Sequence, residues 1–185
     1  MAKRTSFPKA NARDFHPTPL KPVRPLIPHL RGLRRYAEPC AGNGALIGHL
    51  SALKDLRCTY GGDIYPLRDG IVRRDAFDLR ASMLGDAEAI ITNPPWTRSK
   101  KDNAGYPLIP MAVHLSDILP TWLLLDADFM HIEVAGPIMR ERCAKVVSVG
   151  RVRWMEGTDS DGYDNAAWYL FTNRRRATRF YGWAA

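Results

Sequence analysis

The order of apolar and polar positions along the chain predicts strands that alternate with helices. Apolar residues recur at helical spacing over residues 45–55, which predicts an amphipathic helix, and residues 110–119 form a second candidate helix. Short apolar runs that end in turn residues predict buried strands. These runs are residues 34–40, Arg57–Gly62, Glu88–Thr92, Trp122–Asp126, Lys145–Val149 and Asn165–Thr172. The alternation predicts an α/β fold with a mostly parallel sheet, and the last two strands predict an antiparallel C-terminal edge hairpin.

The first 35 residues lack this alternation. Residues 1–14 mix basic and small polar residues without periodicity, which predicts a disordered basic arm. Residues 15–35 contain five prolines, which predict an extended lead-in with at most a short helix near Leu26–Leu33. Since 185 residues suit one domain, we expect a single domain over residues 15–185, preceded by the arm.

The charge of the chain is concentrated at its start. The net charge is +8, from 27 Lys and Arg residues against 19 Asp and Glu residues. Residues 1–35 contain nine basic residues and one acid, so they carry the whole excess and the remainder is formally neutral. A cationic segment of this kind favours a polyanionic partner, most simply nucleic acid. A solvated tail without a binding role is the alternative interpretation.

Several classes of protein are disfavoured by composition. No apolar stretch approaches the ~20 residues of a membrane span, and no apolar leader segment is present. The three cysteines are odd in number and lack CxxC spacing, and the five histidines lack metal-ligand spacing. We therefore expect a cytoplasmic protein without a metal ion, a disulfide framework or a membrane anchor.

A glycine-rich turn stands between the first predicted strand and the first predicted helix. The segment is Glu38-Pro39-Cys40-Ala41-Gly42-Asn43-Gly44. Small residues there let the backbone approach a ligand, and a helix N-terminus favours anionic groups. Asp63 follows Gly44 by 19 residues and ends the next strand, where an acid can accept hydrogen bonds from ribose hydroxyls. The arrangement predicts a site for a cofactor that contains a nucleoside.

A second motif, Asn93-Pro94-Pro95-Trp96, directly follows the strand Glu88–Thr92. The prolines make the turn rigid and remove backbone donors, so nearby carbonyl groups can accept hydrogen bonds from a ligand. The Asn93 amide offers a further acceptor at the carboxyl edge of the sheet, and Trp96 offers an aromatic face. This combination suits a planar group that carries an NH₂. A strand-terminating turn with a packed tryptophan is the alternative interpretation.

Taken in order, EPCAGNG, Asp63, DAFDL and IITNPPW resemble the motifs of class I S-adenosylmethionine-dependent methyltransferases that act on amino groups. The chain is most similar to the small adenine-N6 DNA methyltransferases of phages and prophages. The resemblance covers about residues 15–130, and GYDNAAWYLF resembles the last strands of those enzymes. It implies a Rossmann-like, doubly wound sheet. It also implies S-adenosylmethionine as methyl donor, S-adenosylhomocysteine as product, duplex DNA with a flipped adenine as partner, and a bacterial or phage-infected cell.

The resemblance also implies a role for each motif residue. The implied cofactor-binding residues are Phe15, Thr18 and Pro19 in an N-terminal motif, Glu38, Pro39, Ala41, Gly42 and Gly44 at the methionine end, Asp63 at the ribose, Asp75 and Ala76 at the adenine, and Asn93. The implied catalytic residues are Asn93, Pro94, Pro95 and Trp96, with Asn93 and Pro94 holding the target amino group. The implied substrate-binding residues are Trp96, which stacks on the base, and Arg98, Lys100 and Lys101, which contact phosphates.

The motifs leave the acceptor open. An Asn-Pro-Pro-Trp turn suits cytosine N4, an RNA base or a protein glutamine amide as well as adenine N6, and a non-catalytic nucleic-acid-binding module could retain the fold. Little of the chain remains for a target-recognition domain, so we expect low or very short sequence specificity, or specificity supplied by a partner. The basic residues Arg174, Arg175, Arg176 and Arg179 favour a solvated turn, with phosphate contact as the alternative.

Overall fold

The structure is a computed structural model of the 185-residue chain, and it describes residues 16–96, 107–154 and 165–182. Eight strands in these ranges form one sheet. They are β1 (Arg35–Glu38), β2 (Arg57–Asp63), β3 (Val72–Arg73), β4 (Ala89–Thr92), β5 (Thr121–Asp126), β6 (Cys143–Arg151), β7 (Asn165–Phe171) and β8 (Arg179–Tyr181). Their order across the sheet is β3-β2-β1-β4-β5-β7-β6-β8. The mixed, mostly parallel sheet predicted from the sequence is confirmed.

The pairing of the strands defines where a ligand can bind. Strand β1 is parallel to both β2 and β4, and β4 is parallel to β5. Strand β7 is antiparallel to β5 and β6, which confirms the predicted antiparallel pair, and β8 lies parallel outside β6. The direction of winding reverses between β1 and β4. In open α/β sheets such a reversal opens a crevice at the carboxyl ends of the strands, where ligands bind.

Both predicted helices are present in the structure. They are α1 (Ala45–Lys54) and α2 (Leu108–Ile118), and a third, α3 (Gly136–Arg142), precedes β6. Sequence periodicity did not predict α3 because its seven residues begin with Gly-Pro and make only two turns. The edge strands β3 and β8 were missed as well, since they contain two and three residues and show no apolar run.

The lead-in before β1 is part of the apolar core. A 3₁₀ helix, Arg24–Leu30, replaces the short helix expected near Leu26–Leu33, and Pro25 lies in its first turn, where a missing N–H removes no helical hydrogen bond. Val23 and Leu26 are fully buried against the face of the sheet that α1 covers. Trp168 Nε1 on β7 donates a hydrogen bond to the Pro22 carbonyl at 2.7 Å. The predicted arm, residues 1–14, lies outside the described residues.

Two apolar layers enclose the sheet. One face packs under α2 and α3, where Ile90, Leu115 and Tyr169 are fully buried. The other face packs under α1 and the 3₁₀ helix Arg24–Leu30, where Ile91 and Trp168 are fully buried. Adjacent strand residues such as Ile90 and Ile91 therefore face opposite layers, as the two-residue repeat of a strand requires. This rigid sheet fixes the positions of the strand ends that form the candidate site.

We expect the lead-in to contribute substantially to stability. Leu26→Ala should lower the free energy of unfolding by about 2–5 kcal/mol, because a fully buried leucine loses its transfer energy and leaves a cavity. Val134→Ala, at a side chain that is 61% exposed, is the matched control and should change it by less than about 0.5 kcal/mol. Urea unfolding measures both. Equal midpoints for the two variants would show that the lead-in is not part of the cooperative core.

Candidate active site

Three neighbouring strands end at the same edge of the sheet and bring the predicted motifs together. Strand β1 ends at Glu38, β2 ends at Asp63, and β4 ends at Thr92 immediately before Asn93. The glycine turn is tied to the end of β4, since the Cys40 amide donates a hydrogen bond to Thr92 Oγ1 at 3.2 Å. Residues 52 positions apart in the chain are therefore adjacent in space.

The glycine turn adopts a backbone that favours glycine. Gly42 has φ of 53° and Gly44 has φ of 76°, in the left-handed region that residues other than glycine, asparagine and aspartate rarely adopt. Gly44 is the N-cap of α1, and its amide donates to the Ala41 carbonyl at 2.7 Å. Asn43 Oδ1 accepts from the Ala45 amide at 3.1 Å. The turn is thus closed on itself, with the start of α1 directed toward the strand edge.

Asp63 connects this turn to the loop that follows β2. Its Oδ2 accepts from the Gly42 amide at 2.7 Å, and its Oδ1 accepts from the Tyr65 amide at 2.7 Å. The Leu67 amide also donates to the Gly42 carbonyl at 3.0 Å. Each carboxylate oxygen has a second acceptor position, so this fixed carboxylate can still receive hydroxyl donors from a ligand.

Glu38 is the most unusual group at this edge. Its side chain is 1% exposed, and Oε2 has no hydrogen-bond partner among the described residues. Burial, and then the nearby Asp63 carboxylate, raise the pKa of Glu38 well above its ordinary value. A buried carboxyl oxygen without a partner is costly to the fold, so a cationic or donor group that reached Oε2 would be held strongly.

Two exposed apolar side chains that sequence reasoning did not select follow the acids Asp63 and Asp75 along the chain. Asp75 Oδ1 accepts from the Phe77 amide at 2.9 Å and caps the short 3₁₀ helix Ala76–Asp78, in which Ala76 is buried. Phe77 is 43% exposed, and Ile64, directly after Asp63, is 52% exposed. Exposed apolar groups next to polar anchors are typical of a surface for a planar ring. The available signal was an apolar residue one or two positions after each acid.

The Asn93 amide is held in a defined orientation. Its Nδ2 donates to Thr18 Oγ1 at 3.1 Å. With the NH₂ committed to Thr18, Oδ1 is the group of this side chain that can accept a hydrogen bond from a substrate. Pro94 is buried and Pro95 is exposed, so the rigid turn begins in the core and continues to the surface.

Trp96 is anchored to the neighbouring strand. Its Nε1 donates to the Leu124 carbonyl of β5 at 2.9 Å. Its ring meets Trp154 edge-to-face, with centroids 5.1 Å apart, and the side chain is half-buried. These contacts fix the plane of the indole. Its stacking on a base remains a prediction.

The other predicted residues divide between the edge and regions beyond it. Pro39 is buried before the glycine turn, and Pro19 is half-buried after Thr18. Arg174–Arg176 follow β7, whose Phe171 pairs with Thr121 at the start of β5. They therefore lie near the amino-terminal end of β5, about 20 Å from the strand ends that form the candidate site, at ~3.3 Å per strand residue. Phe15, Arg98, Lys100 and Lys101 lie outside the described residues.

The cysteines near the site are not set up as nucleophiles. Burial raises the pKa of Cys40 to about 12 and that of Cys58 to about 11, so both remain thiols at neutral pH.

Over residues 16–96, 107–154 and 165–182, no group of three or more histidine, cysteine, aspartate or glutamate side chains is arranged to hold a metal ion. In the same ranges, no helix has the length and apolar character needed to cross a membrane.

No protein-family model and no curated protein sequence matches the chain. Several solved structures match the chain by their fold. A protein from Listeria monocytogenes, described as a class I S-adenosylmethionine-dependent methyltransferase, has a TM-score of 0.63 at 7% identity, covering 95% of this chain and 68% of that one. The type I restriction–modification methyltransferase subunit of Streptococcus thermophilus has a TM-score of 0.58 at 9% identity, covering 89% of this chain and 46% of that one.

A chain from a study of type I restriction–modification assembly has a TM-score of 0.57 at 14% identity, covering 91% of this chain and 45% of that one. This chain thus spans less than half the length of either restriction–modification protein. At these identities the likeness establishes architecture. The strand order, the winding reversal between β1 and β4 and the glycine turn at the end of β1 agree with it. The chain has the Rossmann-like fold of the class I S-adenosylmethionine-dependent methyltransferases.

Proposed function

We propose that the protein transfers a methyl group from S-adenosylmethionine to the N6 amino group of adenine in DNA. The observation that carries the proposal is the orientation of the Asn93 amide. Its Nδ2 is bound to Thr18, which leaves Oδ1 as a fixed acceptor at the carboxyl edge of the sheet. Asp63 and the glycine turn lie on the adjoining strand ends. An acceptor for an NH₂ group is therefore next to a site suited to a nucleoside cofactor.

The residues of the edge fit S-adenosylmethionine by their chemistry. The buried Glu38 carboxyl, whose Oε2 has no partner among the described residues, suits the cationic amino group of the methionine part. The anchored Asp63 carboxylate suits the ribose hydroxyls, and the exposed Ile64 and Phe77 offer apolar surfaces to the adenine ring. Bound there, S-adenosylmethionine would supply an electrophilic methyl group on a sulfonium centre.

The chain's own contribution to the chemistry is positioning. Asn93 Oδ1 and the Pro94 carbonyl accept the two N–H groups of the target amine. These hydrogen bonds keep the lone pair on the nitrogen rather than in the ring, so the nitrogen becomes a better nucleophile. No side chain has to remove a proton first, because the proton can leave to water after transfer. The rate then depends on orientation and fixed dipoles.

An amino group inside a duplex is inaccessible, so the target base must rotate out of the stack. The Trp96 indole is a suitable platform for a flipped base, because its hydrogen bond to Leu124 and its contact with Trp154 hold the ring before the base arrives. Stacking on such a ring contributes about 1–3 kcal/mol per base.

Two observations favour DNA over the other acceptors. Residues 1–35 carry the whole +8 net charge, which suits a polyanion. Structurally similar proteins include subunits of restriction–modification systems. Methylation of cytosine N4, of an RNA base or of a glutamine amide uses the same acceptor geometry, and a non-catalytic nucleic-acid-binding module would need only the fold and the charge.

The catalytic role of Asn93 has a direct test. Asn93→Ala should abolish methyl transfer from labelled S-adenosylmethionine to DNA while S-adenosylhomocysteine affinity stays nearly intact, because the amide faces the target nitrogen. Asn173→Ala, at an exposed position after β7, is the matched control and should keep wild-type turnover. Wild-type turnover in Asn93→Ala would exclude the amino-group mechanism proposed here.

Glu38 should link cofactor binding to pH-dependent stability. With its pKa raised, native Glu38 keeps a proton that the unfolded chain loses above pH ~4.3, so stability falls as pH rises toward the native pKa. Glu38→Gln removes this dependence, which can reach about 1.4 kcal/mol per pH unit for one proton. Urea unfolding at pH values from 5 to 8 should therefore show the free energy of unfolding of the variant rising relative to that of the wild type, by about that slope at most.

The same substitution should weaken S-adenosylhomocysteine binding by about tenfold, the scale of a hydrogen bond to a charged group. Glu133→Gln, at an exposed glutamate, is the control for both measurements and should follow the wild type. Calorimetry that finds undiminished affinity in Glu38→Gln would remove Glu38 from the cofactor site. A pH profile parallel to that of the wild type would show that Glu38 ionises normally.

The basic start of the chain should contribute to DNA affinity. Replacing Lys3, Arg4, Lys9 and Arg13 by glutamine should weaken duplex binding and flatten its salt dependence by about 0.9 for each phosphate that is no longer neutralised. Turnover at saturating DNA should barely change, because such contacts add uniform binding. Titrations at several salt concentrations measure the slope. Identical slopes for variant and wild type would assign the phosphate contacts to other residues, with Arg98, Lys100 and Lys101 as the next candidates.

A further inference from the structure

We propose that Thr18 is a positioning residue for the acceptor amide of Asn93, an inference that rests on the proposed function. The two residues are 75 positions apart in the chain, yet Asn93 Nδ2 donates to Thr18 Oγ1 at 3.1 Å. Thr18 is only 6% exposed, so water does not compete freely for this contact. The lead-in segment thereby places a hydroxyl group within hydrogen-bond distance of the Asn93 side chain.

Thr18 is itself held in place from two directions. Its carbonyl oxygen lies 3.2 Å from His49 Nε2, on the helix α1 that begins at the glycine turn. Pro17 and Pro19 flank it, and proline rings restrict the backbone on both sides. The backbone of Thr18 is therefore restrained relative to α1. A chain of contacts runs from α1 through Thr18 to Asn93.

This contact matters because the asparagine side chain ends in two groups of opposite hydrogen-bonding character, an oxygen that accepts and an NH₂ that donates. In the productive orientation Oδ1 accepts from the target amine, and the NH₂ must then find an acceptor inside the protein. Thr18 Oγ1 is that acceptor. If the hydroxyl were removed, the productive orientation would leave the NH₂ unpaired against a buried methyl group, and the amide would favour other rotamers. An N–H directed at the target N–H cannot bind it.

Isosteric substitution separates positioning from packing. Thr18→Val keeps the shape of the side chain and removes the acceptor, whereas Thr18→Ser keeps the hydroxyl and removes a methyl group. In single-turnover assays with labelled S-adenosylmethionine, Thr18→Val should lower the rate at saturating DNA by at least about tenfold, the scale of one buried hydrogen bond. Thr18→Ser should retain most of the wild-type rate, and the DNA concentration for half-maximal rate should stay within about threefold in both variants.

Cofactor affinity provides the discriminating readout. The resemblance to amino-methylating enzymes implies that the Thr18 segment contacts the cofactor, so Thr18→Val is also titrated with S-adenosylhomocysteine by calorimetry. Unchanged affinity with a reduced rate supports positioning. A loss of affinity that accounts for the whole loss of rate, or a Thr18→Ser variant as impaired as Thr18→Val, would overturn it.

A measurement without any nucleic acid keeps this inference separate from the proposed function. In protein labelled with ¹⁵N-asparagine, the Asn93 side-chain NH₂ signal is assigned by its loss in Asn93→Ala. Its hydrogen exchange should be slow in the wild type and in Thr18→Ser and faster in Thr18→Val. An exchange rate of the Asn93 NH₂ group that is the same in Thr18→Val as in the wild type would overturn the positioning role. Slow, Thr18-dependent exchange in a protein that methylates no substrate would instead refute the proposed function and leave the contact established.

Discussion

The hydrogen bond from the Gly42 amide to the Asp63 carboxylate is the constraint on which the candidate site depends. It joins the turn after β1 to the end of β2 at 2.7 Å, and Gly42 adopts a left-handed backbone there. The contact between the Cys40 amide and Thr92 Oγ1 joins the same turn to β4. Three strand ends are thereby locked around the point where the winding of the sheet reverses, and the cofactor candidates and the Asn93 turn lie on its two sides.

This locked edge includes polar groups that the fold alone does not need. Glu38 is buried without a partner for Oε2, and the Asp63 carboxylate nearby opposes its ionisation. Such an arrangement lowers stability in the absence of a ligand, and functional sites commonly carry this cost. A donor or cation from a cofactor would relieve it. The stability of the empty protein and its affinity for the cofactor are then two consequences of the same buried carboxyl.

Local patterns in the sequence were sufficient to predict most of the sheet, two helices and the motifs at the carboxyl ends of the strands. Apolar spacing predicted α1 and α2, and short apolar runs predicted the six longer strands. Burial of one face of a helix or of a strand requires apolar residues at regular spacing, which is visible in the sequence. Contacts between residues far apart in the chain produce no such local pattern. The pairing of Thr18 with Asn93 and the bond from Trp96 to Leu124 depend on how the lead-in and β5 pack against the turn Asn93–Trp96. Strand β3 has only two residues, too few for any pattern.

Mass analysis of the methylated product tests the central claim most directly. The wild-type protein is incubated with S-adenosylmethionine labelled on its methyl group and with duplex DNA that contains all four bases, and the DNA is then digested to nucleosides. Parallel reactions contain RNA or protein in place of DNA. Our account predicts label in N6-methyladenine from DNA. Label confined to N4-methylcytosine, to an RNA nucleoside or to a glutamine side chain, or no transfer to any of them, would contradict it.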